Sequence, residues 1–481
     1  MKILPELLFD KSRNGKIGYS FDSDPMPDAG LAVDPELTRS DIPGFPSLSE
    51  VEIVRHYTNL SHLNHSVDSG FYPLGSCTMK YNPKVNETIA AMPAFTGAHP
   101  YTPHHLVQGN ITIMRDLENW LCAVTGMRAF SLSPAAGAHG ELTGMMLIRR
   151  CLTQRGDPRR IVLIPDSAHG TNPASAHFAG YDVREIPSGP DGVLEVETLK
   201  ANLDADVAAL MLTNPNTLGI FERNICELAA LLHENGSMLY MDGANMNALM
   251  GIVRPGDLGV DVLHLNLHKT FATPHGGGGP GSGPVGVAEH LAPFLPPPVI
   301  PTADDSVPRY HRPESIGRVK NFYGNFLVMV RALAYLMSLG RRGLRQVAED
   351  AVLNANYIRC RLKDLLDLPY ASRTLHEVIF SDKGLPVSTL DIAKRLLDYG
   401  IHPFTIYFPL IVHGAMMIEP TETESLETLD QFIEVMNKIL AEAQTDAEKV
   451  RHAPYNTPRR RLDEVRAARN PVLAWQPRHQ E

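Results

Sequence analysis

Three polar segments of the sequence each follow apolar residues and carry side chains suited to chemistry. Asp242 lies in Tyr240–Asn245, Lys269 lies in His264–Thr270, and the third segment, 131–140, is rich in small residues. A lysine that closes a buried strand has a lowered pKa, which frees its amine for Schiff-base chemistry. Small residues at the start of a helix present backbone N–H groups and a positive dipole end, which suits a phosphate.

Each of these features alone also has a structural explanation. Asp242 can cap a helix, Lys269 can extend into solvent from a strand end, and segment 131–140 can be a simple tight turn. The combination is more informative, because an enzyme that uses pyridoxal 5′-phosphate needs all three parts. A lysine holds the aldehyde, a carboxylate keeps the pyridinium nitrogen protonated, and a helix N-terminus holds the phosphate. We therefore predict a pyridoxal phosphate site.

Two further segments at strand exits add to this site. His169, in segment 165–173, can stack on the pyridine ring or relay protons, although it can also merely cap its loop. Segment 213–216 can hydrogen-bond the ring oxygen. We assign catalysis to Lys269, His169 and Asp242. The predicted cofactor-binding residues are Ser133, Ala136, Gly137, His169, Thr213, Asp242, Asn245, His268 and Lys269.

Competing motifs are weak. Gly281–Gly286 formally matches the dinucleotide-binding pattern GxGxxG, but it contains Pro284 and precedes a strand-like run instead of opening a helix. His264 and His268 have the spacing of zinc ligands on a helix, yet on a strand they lie far apart, and the sequence has no HExxH motif. We predict no metal site.

Short apolar runs that alternate with amphipathic segments predict the elements that position these side chains. We expect strands at 161–165, 182–186, 207–212, 238–241 and 260–267, and helices at 107–124 and 224–234. Continuous apolar strands separated by helices indicate an α/β fold with a largely parallel sheet covered on both faces. Ligands of such sheets bind outside the carboxyl ends of the strands, where the polar segments lie.

The rest of the chain suggests four parts. Residues 1–84 form an N-terminal arm and wrapping segment, with no regular helix expected in its first 60 residues. Residues 85–325 form the large cofactor-binding domain. Residues 326–450 form a smaller α+β domain that begins with helices at 326–339 and 344–366. Residues 451–481 form a C-terminal tail.

Composition excludes several classes of protein. The 481 residues are 43% hydrophobic and 20% charged, which is typical of folded domains. The net charge of −10 argues against a nucleic-acid partner. The five cysteines include no CxxC pair, which suits a reducing cytoplasm. No signal peptide or membrane-spanning run is visible, so we expect no membrane association.

Four longer segments of the sequence resemble glycine dehydrogenase (decarboxylating), the P-protein family of the glycine cleavage system. Within that family the chain is most similar to subunit 2, the beta half of the two-subunit form. The resemblance runs over nearly the whole chain. Its most specific segments are Tyr72–Pro83, His169–Pro173, Asp242–Asn245 and Leu267–Phe271 with its glycine tail at 276–279.

The resemblance implies a fold-type-I pyridoxal phosphate-dependent transferase. Such a fold has a large, mainly parallel, seven-stranded sheet domain and a smaller α+β C-terminal domain. It implies that Lys269 carries the cofactor, that Asp242 meets the ring nitrogen and that His169 lies over the ring. The implied reaction is decarboxylation of glycine, with release of CO2 and transfer of the aminomethyl group to the lipoyl cofactor of the H-protein.

The resemblance also implies partners. They are glycine, the lipoylated H-protein and the P-protein subunit 1 (the alpha half), in a heterotetramer with two copies of each subunit. The Tyr72–Pro83 loop is the candidate wall of a channel for the lipoyl arm. Cys77 in that loop invites a redox interpretation, but we favour a small, buried packing residue.

Two other functions remain open at this point. The chain can use the same cofactor as an aminotransferase or lyase of another amino acid. A requirement for a lipoylated carrier protein, as opposed to an oxo acid acceptor, distinguishes these activities. Alternatively it is a non-catalytic partner subunit, although the joint presence of Asp242 and Lys269 argues against this.

Overall fold

The computed structural model describes residues 4–18, 34–39, 42, 44–276, 281–301 and 308–475. Residues 71–451 form one compact unit, and residues 1–70 together with 452–481 form another. Most of the predicted glycine tail, residues 277–279, lies outside the described part of the chain. The predicted four-part division at residues 84, 325 and 450 stays a prediction.

Seven strands of the larger unit form one sheet. They are β1 (Ala129–Ser131), β2 (Ile161–Pro165), β3 (Asp182–Ile186), β4 (Val207–Thr213), β5 (Met238–Gly243), β6 (Val262–Leu265) and β7 (Val285–Val287). Their order is β1-β7-β6-β5-β4-β2-β3. Strand β7 is antiparallel to both of its neighbours, and the other pairs are parallel. The predicted mainly parallel, seven-stranded sheet is confirmed.

The described residues form fourteen α-helices, of which α1, α2 and α14 belong to the smaller unit. They are α1 (Leu8–Lys11), α2 (Glu50–Ser61), α3 (Lys84–Ala90), α4 (Pro93–Thr96), α5 (Gln108–Thr125), α6 (Gly137–Gln154), α7 (Thr171–Phe178), α8 (Val196–Asn202), α9 (Ile225–Glu234), α10 (Phe326–Leu362), α11 (Thr389–Asp398), α12 (Leu426–Thr445), α13 (Ala447–Arg451) and α14 (Glu464–Arg469). Within the described residues, no helix combines the length and the apolar character that a bilayer crossing requires.

The core of the larger unit lies on both faces of the seven-stranded sheet. Every residue of β4 is buried, as expected for a strand that helices cover on both sides. Leu210 and Leu212 join a cluster with α5, α9 and the first part of α10, whereas Ala209 and Met211 join a cluster with α6. This alternation follows from the two-residue period of side chains along a strand.

Two predicted helix boundaries show how glycine ends helices. Helix α5 stops where Gly126 takes a left-handed conformation with φ of 75°, as expected for a residue without Cβ. The helices predicted at 326–339 and 344–366 are the two halves of α10. They are separated at Gly340, which has φ of 58° and ψ of −174°. The second half ends at Leu362, before the predicted boundary.

A smaller antiparallel sheet follows α10. It contains β8 (Val378–Ser381), β9 (Thr405–Ile406) and β10 (Ala415–Ile418) in the order β8-β10-β9. Apolar side chains of α11, α12 and the end of α10 pack against it in a separate core cluster. The predicted small α+β part is therefore present.

One prediction about the N-terminal segment is wrong. Helix α2 lies within the first 61 residues, where we expected no regular helix. Ser49 and Glu52 form a capping box at its start, which is a sequence signal for a helix N-terminus. The apolar pattern does not reveal this helix, because His56 is its single buried residue.

The close approach of α6 to the sheet yields a test of packing. A Cβ atom on Gly144 would lie 2.6 Å from Cε2 of Tyr240 and 2.9 Å from Cγ1 of Val262. We expect Gly144→Ala to lower the free energy of unfolding by about 1–3 kcal/mol, because the core must shift to accept the methyl group. Urea denaturation of the purified chain measures this change.

Gly109 is the matched control, because it lies in α5 and a Cβ there would meet no atom within 4 Å. Gly109→Ala should leave stability unchanged or raise it by up to about 1 kcal/mol, because alanine favours helix. Equal stabilities of the two variants would contradict the packing argument.

Candidate active site

The candidate site begins where β5 and β6 end side by side. Their parallel register places Asp242 opposite His264, and both side chains are buried. His264 Nε2 lies 3.4 Å from Asp242 Oδ1, and its Nδ1 shares a hydrogen bond of 2.7 Å with the Tyr240 hydroxyl. The strand pairing therefore fixes an imidazole against the carboxylate.

Two donors complete the surroundings of Asp242. The Ala244 N–H donates to Oδ1 at 2.9 Å, and Asn172 Nδ2 donates to Oδ2 at 3.1 Å. Burial raises the pKa of Asp242, but His264, these donors and Lys269 oppose it, and the net pKa is below the ordinary value. Asp242 is consequently ionised at neutral pH.

Asn172 connects Asp242 to a second buried carboxylate, Glu141 of α6. Glu141 accepts hydrogen bonds from Thr171 Oγ1 at 2.9 Å, Asn172 Nδ2 at 3.1 Å and Ser175 Oγ at 3.2 Å. These three donors lie on α7, so Glu141 fixes the first turns of α7 against α6. The same network thereby holds the Asn172 amide in contact with Asp242.

His169 precedes α7, and the backbone at the start of α7 holds its ring. The Thr171 N–H donates to His169 Nδ1 at 3.2 Å, and the Thr171 hydroxyl lies 2.8 Å from the same nitrogen. Because Nδ1 accepts the backbone N–H, the ring proton of neutral His169 belongs on Nε2. The Phe408 ring packs edge-on at 5.3 Å between centroids.

Lys269 lies beyond the end of its strand. We predicted a strand at 260–267, but β6 covers Val262–Leu265, and Lys269 follows in a turn where its N–H donates to the Asn266 carbonyl at 3.1 Å. Burial raises the pKa of both Glu377 and Glu419, and the positive charge of Lys269 opposes that rise in each. Lys269 therefore lies close enough to both buried glutamates to act on their ionisation.

The start of α6 lies where we predicted a phosphate cradle, at Ala136 and Gly137. Ala136 is the N-cap of α6 and supplies no side-chain cap, so the first backbone N–H groups are left for other partners. A Cβ on Gly137 would lie 2.5 Å from Asn266 Oδ1, and a Cβ on Gly283 would lie 2.0 Å from the Ala136 carbonyl oxygen. These contacts explain why glycine is required where the three segments meet.

Several buried polar atoms near the cradle fit a bound polar cofactor. Among the described residues, these side-chain atoms have no hydrogen-bond partner in the protein: Asn266 Oδ1, Thr270 Oγ1, Thr273 Oγ1 and Ser282 Oγ. Buried polar groups in native proteins are normally paired, so a cluster of unpaired ones marks a place for a ligand. The three hydroxyl groups can donate hydrogen bonds to phosphate oxygens, whereas the Asn266 oxygen can only accept one.

Most of the predicted cofactor-binding residues fall into two groups in the structure. Asp242, Thr213 and His169 belong to one network through Asn172 and its neighbours, because the Thr213 hydroxyl donates to Asn172 Oδ1 at 3.5 Å. The cradle forms the second group and contains Ala136, Gly137, the buried Ser133 and His268.

His268 and Asn245 have local roles in the fold. His268 Nδ1 accepts the Ser282 N–H at 3.3 Å, and burial together with the nearby His275 lowers the pKa of His268 to about 3. His268 is therefore neutral at physiological pH. Asn245 Nδ2 donates to the Pro215 carbonyl at 3.0 Å.

Sequence reasoning missed three buried members of the network, Glu141, Asn172 and His264. Asn172 lies in the His169–Pro173 segment, in which the sequence analysis assigns a role only to the histidine. His264 was weighed only as a zinc ligand, although pairing of the two predicted strands would have placed it beside Asp242. Glu141 gives no signal beyond its position after the small-residue segment.

The Tyr72–Pro83 loop packs along the edge of the smaller sheet. Leu74 pairs with Ile418 of β10, and Lys80 Nζ contacts Glu422 at 2.8 Å and the Tyr335 hydroxyl at 3.0 Å. Burial raises the pKa of the Cys77 thiol, so this cysteine is not an activated thiolate. The observation favours the packing interpretation of Cys77.

Comparison with known proteins identifies similar chains. The model of the glycine cleavage system P-protein family matches residues 31–311, and that of the glycine dehydrogenase C-terminal domain matches residues 347–459. A probable glycine dehydrogenase (decarboxylating) subunit 2 of Kosmotoga olearia is 54% identical over 98% of this chain and 100% of its own length. The protein of the same description from Listeria innocua is 56% identical over 98% of each chain.

Solved structures share the fold. The glycine decarboxylase (P-protein) of the glycine cleavage system, in inhibitor-bound form, has a TM-score of 0.71 at 21% identity, covering 85% of this chain and 93% of that chain. The cysteine desulfurase CsdA of Escherichia coli has a TM-score of 0.61 at 14% identity, covering 78% and 95%. The predicted fold-type-I architecture is confirmed.

The Glu141 network yields a test of the site. In Glu141→Gln, an amide NH2 replaces one of the two oxygens that accept hydrogen bonds from α7, so either the Asn172 amide loses its acceptor or the Thr171 hydroxyl must turn to accept. We expect the free energy of unfolding to fall by about 1–3 kcal/mol, because hydrogen bonds in a buried position are lost. Urea denaturation of the purified chain measures the change.

Glu227, exposed on α9, provides the matched control. Glu227→Gln makes the same chemical change at the surface and should alter stability by less than about 0.5 kcal/mol. A Glu141→Gln variant as stable as Glu227→Gln would show that the network does not hold α7.

Proposed function

The chain belongs to the P-protein family of the glycine cleavage system, and we propose that it decarboxylates glycine and transfers the aminomethyl group to the lipoyl group of the H-protein. Carbon dioxide is the other product, and pyridoxal 5′-phosphate is the cofactor. The activity is that of a glycine dehydrogenase (decarboxylating). The observation that carries this proposal is the buried, ionised Asp242 held beside the Lys269 charge at the carboxyl end of the sheet.

The two side chains have complementary tasks. When bound, pyridoxal phosphate supplies an electron sink for the electron pair that remains on the α-carbon after carbon dioxide leaves. The Lys269 amine holds the aldehyde of the cofactor. Asp242 keeps a proton on the ring nitrogen, and its surroundings support this role because His264, Ala244 and Asn172 all favour the ionised carboxylate.

The remaining assignments concern binding. His169 is assigned to the cofactor ring, and its orientation through Thr171 supports a fixed position there. Ala136, Gly137 and Ser133 are assigned to the phosphate, supported by the open N-terminus of α6 and the close glycine contacts. Thr213, Asn245 and His268 complete the proposed cofactor-binding set.

We further propose that the chain acts with partners. Its full-length likeness to proteins described as subunit 2 supports a complex with P-protein subunit 1, in a heterotetramer with two copies of each subunit. The Tyr72–Pro83 loop is proposed as part of the wall along which the lipoyl arm of the H-protein approaches. All five cysteines carry free thiols, which supports a cytoplasmic location.

The role of Lys269 can be tested directly. Borohydride should bleach the yellow wild type and leave the cofactor covalently attached to it, whereas Lys269→Ala should be colourless and carry no attached cofactor, because the amine that captures the aldehyde is absent from the variant. Exchange of labelled bicarbonate into glycine, assayed with subunit 1 and lipoylated H-protein, should be abolished in the variant.

Lys200, an exposed residue of α8 paired with Glu197, is the control for this test. Lys200→Ala should keep both the colour and the exchange activity. A colourless Lys269→Ala variant that still exchanged bicarbonate would contradict the proposal. Turnover by the wild type with an oxo acid acceptor and without H-protein would favour an aminotransferase instead.

Asp242→Asn tests the second assignment. The variant should retain the cofactor, because Lys269 is intact, but its exchange activity should fall at least about a hundredfold, because the ring nitrogen loses the carboxylate that keeps it protonated. The absorption spectrum reports cofactor content and the exchange assay reports activity. Unchanged turnover would contradict the role given to Asp242.

A further inference from the structure

A second acidic group lies near Lys269, and the mechanism above does not use it. Glu377 directly precedes β8, and Glu419 directly follows β10. Val378 pairs with Ile418 in the antiparallel ladder, so the two glutamates emerge at the same end of the small sheet. Both side chains are fully buried, and each offers an oxygen within a cluster whose atoms lie within 4.8 Å of one another and of a His376 ring nitrogen.

The two glutamates bind the Tyr72–Pro83 loop. The Ser76 N–H donates to Glu377 Oε2 at 3.0 Å, and the Thr78 N–H donates to Glu419 Oε2 at 3.1 Å. The Thr78 hydroxyl donates to Glu419 Oε1 at 2.6 Å. Ser76 and Thr78 have φ of 64° and 48°, a left-handed conformation that is unfavourable for residues with a side chain. The hydrogen bonds to the carboxyl groups therefore hold a strained turn in place.

Cys77, in the middle of this turn, connects it to the Lys269 segment. The Cys77 carbonyl accepts a hydrogen bond from His275 Nε2 at 3.0 Å. The His275 ring packs against His268, the neighbour of Lys269, at 5.1 Å between centroids. Displacement of the turn would thus be transmitted to the residue beside Lys269.

The charges around Glu377 and Glu419 favour ionisation of only one of the two carboxyl groups. Two carboxylates this close in a buried site repel each other. Burial and the nearby Lys269 lower the pKa of His376 to about 3, so its ring is neutral and supplies no positive charge that would offset the repulsion. One proton shared by the two carboxyl groups resolves the repulsion.

Hydrogen bonding indicates which carboxyl group holds that proton. Glu419 accepts three hydrogen bonds, two from Thr78 and one from Asn247 Nδ2 at 2.9 Å, which favours its ionised form. Glu377 accepts one hydrogen bond at Oε2, and its Oε1 has no partner although it is buried. A proton on Glu377 Oε1 is therefore less costly than a proton on Glu419.

We propose that Glu377 and Glu419 are positioning residues for the Lys269 site, which hold the Ser76–Thr78 turn as a pair that shares one proton, carried by Glu377. This inference rests on the proposed function, because it assigns the turn a part in glycine turnover. Loss of the shared proton creates two facing carboxylates, which pushes the turn away from the site.

The inference predicts an alkaline limb in the pH profile. The titratable or charged groups that act on the pair are Lys269, Cys77 and His376, whose Nε2 lies 3.7 Å from Glu377 Oε1. Burial and the Glu419 charge raise the pKa of Glu377 well above its usual range, so the pair keeps its proton to a higher pH than a free carboxyl group and loses it as pH rises further. Bicarbonate exchange by the wild-type complex should fall as that proton is lost.

Two matched substitutions test the proton assignment in the holoenzyme with subunit 1 and H-protein. Glu377→Gln imitates the protonated acid and should keep exchange activity within about threefold at neutral pH, without the alkaline limb. Glu419→Gln places an amide against the donors of Thr78 and Asn247, and should lose at least about tenfold at every pH. Equal losses in both variants, or an alkaline limb that persists in Glu377→Gln, would overturn the proposal.

Glu118 supplies a control that is also a buried glutamate. Burial raises its pKa to about 7, and it accepts a hydrogen bond from the Phe130 N–H, away from Glu377 and Glu419. Glu118→Gln should keep the wild-type alkaline limb. A stoichiometric metal ion in the purified holoenzyme, measured by mass spectrometry, would also overturn the proposal, because a cation would then neutralise the pair in place of the proton.

A readout without turnover separates this inference from the proposed function. Hydrogen exchange of the peptide that contains Ser76 and Thr78 should be as slow in Glu377→Gln as in the wild type, and faster in Glu419→Gln at the same pH. If the wild type showed no glycine activity but kept this pattern, the proposed function would fail and the proton-sharing pair would stand. The reverse pattern of protection would overturn the pair itself.

Discussion

The burial of an ionised carboxylate at the end of β5 is the constraint on which the site depends. Removing a carboxylate from water is costly unless hydrogen bonds and opposite charge replace the lost hydration. Asp242 meets that requirement with the Ala244 N–H, the Asn172 amide and the His264 ring. Each of these comes from a different part of the chain, so Asp242 can stay ionised when it is buried only if the sheet register and the start of α7 both form.

The cost of burying a charge also explains the surroundings of the other acidic groups in this site. Each of them either accepts several hydrogen bonds or is suited to keep a proton. Glu141 is surrounded by three donors from one helix, and Glu419 by donors from the Tyr72–Pro83 loop and Asn247. Glu377 has a single donor and an unpaired oxygen, which makes it the carboxyl group best suited to keep a proton. The number of donors around each carboxyl group therefore distinguishes Glu377 from Glu141 and Glu419.

Close packing of backbone adds a second constraint, which acts on shape and not on charge. Gly137 and Gly283 let the start of α6, the Lys269 segment and the segment before β7 approach more closely than residues with Cβ atoms could. Gly144 does the same between α6 and the sheet. These approaches bring the positive end of α6 to the edge of the sheet where Asp242 and Lys269 lie.

The sequence by itself predicted five of the seven strands of the large sheet and the end of α5 near Gly126, and it singled out Asp242, Lys269 and His169 as site residues, because these depend on local apolar runs and on motifs of a few residues. It missed α2, whose buried surface is too small to create an apolar pattern. Only the tertiary structure decided that Asn172 joins Asp242 to Glu141, and that Glu377 and Glu419 meet Ser76 and Thr78 some three hundred residues away in sequence. Contacts of that kind arise from strand register and from the path of the chain, which no local sequence pattern encodes. Burial then decides which of the acidic side chains brought together keeps its proton.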